Sequence, residues 1–203
     1  MRHRIALAAS AMAVLIGSTL AAPSPSLADG KDNAKTGVDA KAAFTKIKTL
    51  VGAWKSANKH ESAAGAKEAN EHFQGEVNVN FKLTGAGSAL VETQFPGMPH
   101  EMVSVYHLDG DDLRMTHYCA AQNQPRLKLD RSNSTADHLV FVFDGGSNLN
   151  PDKDEHIHGL QITFHEDGKV TSAWEGYKDG KKAGTELFVM TRQPKDESTK
   201  PAH

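Results

Sequence analysis

The sequence predicts a mainly β protein: an antiparallel up-and-down barrel of about ten strands with a short N-terminal helix. Three observations carry that expectation. Apolar and polar residues alternate with period two, most clearly Val77, Val79, Phe81 and Leu83 against Asn78, Asn80 and Lys82. From Gly75 onward, turn clusters rich in Gly, Asp and Pro recur at roughly ten-residue spacing. A meander of that many strands leaves two open edges unless it closes on itself. Closed at about eight to ten strands, it has room for an internal cavity.

In chain order, residues 1–28 carry the pattern of a secretory signal. Arg2 and Arg4 come first, then an uncharged apolar run from Ile5 to Leu20, then Ser26-Leu27-Ala28 as a small-x-small cleavage site before Asp29. The run is too short and wrongly flanked for a membrane-spanning helix, and no later run is long enough to be one. We expect an exported protein, periplasmic or extracellular, without membrane insertion. Residues 29–38 read as a flexible leader. Residues 39–193 read as a single barrel domain, and residues 194–203 as a disordered tail.

Asp39 can cap a short helix whose apolar positions are Phe44, Ile47, Leu50 and Val51. Gly52-Ala53-Trp54 follows. Residues 56–71, rich in Ala, Glu, Lys and Asn, have no clear period and read as an exposed loop or weak helix. Strands then fall at Gly75–Leu83, Ser88–Phe95, Met102–Leu108, Asp112–Cys119, Arg126–Leu129, His138–Phe143, His156–Phe164, Val170–Tyr177 and Thr185–Arg192. Asp109-Gly110 marks a hairpin turn. Turn clusters at Asp144-Gly145-Gly146, Glu166-Asp167-Gly168 and Lys178-Asp179-Gly180 separate later strands.

Composition narrows the function. The signal segment holds two basic residues and no acidic one, so removing it takes the net charge from −2 to −4. A mildly acidic surface gives no electrostatic footprint for nucleic acid. The single cysteine excludes an internal disulfide, leaving a thiol that is buried, metal-bound or reactive.

Gly52-x-Trp54, at the end of a short helix and leading into a strand, resembles the signature of the calycin superfamily, the lipocalin-like and fatty-acid-binding-protein-like barrels. In those folds a basic side chain from the last strand packs across the tryptophan, and Arg192 stands at the matching position. The His-Tyr-Cys and Asn-Gln-Pro segments resemble secreted bacterial calycin-like proteins of unassigned role. The resemblance implies a barrel that holds something inside, and it names no ligand.

His117 and Cys119 are two residues apart on one strand, on the face that also carries Leu113 and Met115. His156 and His158 repeat the spacing, on a face continuing through Leu160, Ile162 and Phe164. Three readings follow. The first is a small-molecule-binding barrel whose largely apolar ligand lies against Tyr106, Met115, His117, Cys119 and Trp174, with Trp174 as a stacking wall. The second is a metal protein in which His117, Cys119, His156 and His158 supply three nitrogens and a sulfur, a tetrahedral set suited to zinc or copper. The third is an enzyme with a Cys119 thiolate activated by His117. Among the remaining candidates, Glu92 is expected in water, with Ala89, Val91, Thr93 and Phe95 inside. His100 is expected in a solvated loop and His107 without a role. The loop 120–125 reads as structural, and Asn148-x-Asn150-x-Asp152-x-Asp154 as a solvated turn lacking the glycine and closing glutamate of a calcium loop.

Overall fold

The computed structural model describes residues 37–62 and 75–194. The expected signal, most of the leader and nearly all of the tail lie outside them. Asp39 is the N-cap of helix α1 (Ala40–Lys48), its carboxylate accepting from the Lys41 and Ala42 amides at 2.9 and 3.0 Å. Those are two of the amides a helix start leaves unsatisfied. Asp39→Ala should cost about 1 kcal/mol of stability, read as a lower urea midpoint with unchanged slope. Just before the cap, Val38 is tied to Arg131 by backbone and guanidinium hydrogen bonds.

Ten antiparallel strands follow: β1 (Gly52–Ser62), β2 (Gly75–Thr84), β3 (Ala89–Gln94), β4 (Met102–Asp109), β5 (Asp112–Tyr118), β6 (Gln124–Leu129), β7 (His138–Ser147), β8 (His156–Phe164), β9 (Val170–Lys178) and β10 (Lys181–Arg192). Each pairs with its neighbours in sequence, and β10 returns to β1 in the register Trp54↔Arg192 through Ser62↔Gly184. The barrel is closed, as the alternation and turn spacing predict, and is compatible with a calycin-like fold.

One expectation fails at once. Residues 56–62 are strand, not loop or weak helix; they continue β1. Trp54, Ser56 and Asn58 are buried while Lys55, Ala57 and Lys59 are exposed. The period of two is present but is carried by polar side chains, so apolar spacing does not reveal it. Residues 63–71 of that expectation lie outside the described residues.

In an up-and-down meander, alternate connections gather at opposite ends. The helix precedes β1 and closes one end with Phe44, Ile47 and Leu50, all buried in the common core. Lys46 fastens it there through an ion pair with Asp137 and a position 4.7 Å over the Phe164 ring. Trp54 donates its indole N–H to the Leu50 carbonyl. Arg192 lies across the Trp54 ring at 4.3 Å and donates to the Thr49 and Val51 carbonyls that end the helical segment. Among the described residues, the other end carries the loops 95–101, 119–123 and 148–155, between β3 and β4, β5 and β6, and β7 and β8, and the turn 179–180 between β9 and β10.

Candidate functional site at the loop end of the barrel

His117 is the penultimate residue of β5 and Cys119 follows the strand. His156 opens β8, and Trp174 is the central residue of β9. Strand direction therefore brings His117, Cys119, His156 and His158 toward the same end of the barrel.

Parity on β4 and β5 is clean. Met102, Ser104 and Tyr106 point inward, as do Leu113, Met115 and His117. Ser104 and His117 are directly paired across the strands, and the Ser104 hydroxyl meets His117 Nδ1 at 2.9 Å. The other ring nitrogen, Nε2, is buried without a hydrogen-bond partner. The ring instead meets Trp174, with centroids 5.1 Å apart at 44°. Burial brings the His117 pKa down to about 4, so the imidazole is neutral at pH 7. Trp174 is buried, and its N–H donates to Ser172 Oγ at 3.2 Å.

Cys119 is half-buried beyond the strand end. Burial pushes its thiol pKa up, the Ala121 and Ala120 amides pull it back in part, and Glu155 raises it again. A thiol held protonated is a poor nucleophile at neutral pH. The following turn is closed by Cys119 N–H to the Asn123 carbonyl and by Gln122, which adopts φ +65°. Asn123, buried, donates its side-chain amide to the Glu155 carbonyl, tying this turn to the start of β8.

β8 departs from the expected alternation. Leu160 and Ile162 are buried, but the pairing with β9 shifts between Ile157 and Gly159, a bulge that breaks the shared face ahead of them. His156 and His158 consequently form their own cluster. His156 Nδ1 lies 2.8 Å from the Asp154 carbonyl, so it donates, and its bare Nε2 accepts from His158 Nδ1–H at 3.0 Å. His158 is stacked between Phe143 and Tyr177, at 4.6 and 3.9 Å. Its pKa is lowered by burial and by His156, against a raising effect of Glu175. It borders an outer groove of about 360 Å³ with Val140, Val142, Gln161, Glu175 and Tyr177. Among the described residues no three His, Cys, Asp or Glu side chains come together in a way that could hold a metal ion. His117, Cys119, His156 and His158 therefore share an end of the barrel without forming the four-ligand set.

Glu92 corrects a second expectation. Leu90, Glu92 and Gln94 face inward, while Ala89, Val91 and Thr93 are only half-buried. The Glu92 carboxylate accepts from Tyr106 O–H at 2.7 Å and from the Gln94 amide at 2.9 Å. Burial raises its pKa, and those two bonds oppose the rise. The Tyr106 hydroxyl is raised well above its ordinary value by the same burial and by Glu92. Phe95 is buried as expected, but through a left-handed backbone (φ +55°) rather than strand parity. It packs on Phe188 and on His100, which is half-buried instead of solvated.

Of the expected ligand-contacting residues, Tyr106, Met115, His117 and Trp174 are interior and Cys119 is at the rim. Ser104, Asn58 and Glu92 join them. Ser104 was visible in the sequence only as a polar residue in phase with Met102 and Tyr106, and Asn58 lay in a segment whose polarity hid its period. A scan against protein-family models found no match to the chain, and a search of curated proteins found none.

Proposed function

We propose that the protein is an exported small-molecule-binding β-barrel, calycin-like in fold, whose ligand lies at the loop end of the interior against His117 and Trp174. One observation carries this reading: a side chain buried in the barrel interior has a polar atom, His117 Nε2, with nothing to bond. Leaving such a group unmet costs about 1–3 kcal/mol, and native proteins hold few of them. A ligand atom at Nε2 removes that cost, and the Trp174 ring beside it offers an apolar face. The calycin-like reading is supported by Arg192 lying across Trp54. Export rests on the pattern of residues 1–28.

The test is native mass spectrometry with elemental analysis of protein purified from its own source. We expect a stoichiometric organic molecule that is absent from a folded His117→Phe variant. Protein that carries no organic molecule, and whose tryptophan emission is unmoved by a panel of uncharged hydrophobic dyes, would overturn the reading.

A further inference from the structure

Two buried nitrogens at the loop end lack partners, and the hydrogen-bond directions make both of them donors. The first is Asn58 Nδ2. The Asn58 carbonyl oxygen accepts from Ser56 Oγ at 2.7 Å, which assigns the unmet atom as the amide N–H₂. The second is His117 Nε2. If Ser104 donates to Nδ1, its hydroxyl is satisfied and Nε2 carries the hydrogen. If Nδ1 donates instead, both the Ser104 hydrogen and the Nε2 lone pair go unmet, because Ser104 makes no other side-chain bond. The first arrangement leaves one group unmet rather than two.

The two donors are linked by a chain of interior contacts. Asn58 is paired across the sheet with Phe188, and Phe188 with Ser172. Ser172 accepts from Trp174, whose ring meets His117. Phe95 also meets Phe188 edge to face, with ring centroids 6.0 Å apart. Two interior acceptors are already engaged, Ser172 by Trp174 and Glu92 by Tyr106 and Gln94; at the rim, Asn123 Oδ1 is a buried acceptor without a partner. Charge points the same way. Glu92 is two strands from His117 along the row Glu92↔Ser104↔His117, and among the described residues no Lys or Arg is buried. An anion placed there would face a carboxyl group with no cation to offset it.

We infer that the ligand is an uncharged, largely apolar molecule with an oxygen acceptor, a carbonyl in its simplest form, which receives the His117 and Asn58 N–H groups. This rests on the binding role proposed above.

The experiment compares 2-nonanone, nonane and nonanoate by NMR on the full chain, reading the ring ¹⁵N shifts of His117 and the indole shifts of Trp174. We expect 2-nonanone to bind about tenfold more tightly than nonane, with nonanoate weaker than the ketone. His117→Phe should erase the preference for the ketone, and Asn58→Leu should reduce it about threefold while keeping the His117 signal. Equal binding of ketone and hydrocarbon, or tighter binding of nonanoate, overturns the ligand class and leaves the binding role standing. Shifts unmoved by all three probes count against the binding role itself and remove this inference with it.

Discussion

Between pH 6.5 and pH 4 the folded protein should lose about 3 kcal/mol of stability through His117 alone. Free in the unfolded chain, an imidazole takes up a proton near 6.5; buried in the barrel it does so only near 4. As pH falls through this window the unfolded state binds the proton first, so it is favoured by a growing amount. Below about 4 the folded state protonates too and the loss levels off. His158, also lowered, acts in the same direction. Glu92 opposes both. Its folded pKa lies above the ordinary 4.5, so its contribution is fully present below 4.5 and is lost as pH rises through the folded value. Urea denaturation at pH 7, 5.5 and 4.5 reads the sum. The difference between the wild type and His117→Gln, which cannot ionise but keeps a hydrogen-bonding end near Ser104, isolates the His117 part. An identical pH slope in the two proteins would refute the assignment.

Tyr106→Phe should cost about 2–3 kcal/mol at pH 7. The change is one oxygen, but that oxygen donates to Glu92 Oε2 inside the barrel, and its removal leaves the carboxyl oxygen buried without a donor. Because the Tyr106 bond holds the Glu92 pKa down, its loss also lets that pKa climb further. The penalty should shrink as pH falls through the raised folded value of Glu92, where the acid becomes protonated. Glu92→Gln in the Tyr106→Phe background should recover part of the loss, since two residues sharing one bond are not additive. Chemical denaturation of the four proteins of the cycle checks this. Additive effects would mean that the two side chains do not act as a pair.

Much of the architecture can be read from residue order because local rules agree with the global result. Val77, Val79 and Phe81 alternate cleanly, Asp39 announces its helix, and Asp109-Gly110 turns the β4–β5 hairpin. The site is less legible, for three physical reasons. On β1 the inward positions are Ser56 and Asn58, whose polarity hides the period. On β3, Leu90 and Val91 are equally apolar, so either parity suits the pattern until Tyr106 is seen to supply Glu92 with a donor. On β8 a single bulge breaks the alternation just before Leu160 and separates His156 and His158 from the face they would otherwise share. Parity propagates along a strand, so one extra residue is enough to redirect every side chain beyond it.

The β1–β10 ladder has a kinetic consequence. Trp54 pairs across β1 and β10 with Arg192, near the end of the barrel sequence. Ring closure thus demands contacts of very high sequence separation, which slow folding. Nascent chain emerging from the ribosome cannot complete the cylinder before its final strand is made. An interval of that kind is compatible with the export proposed from residues 1–28.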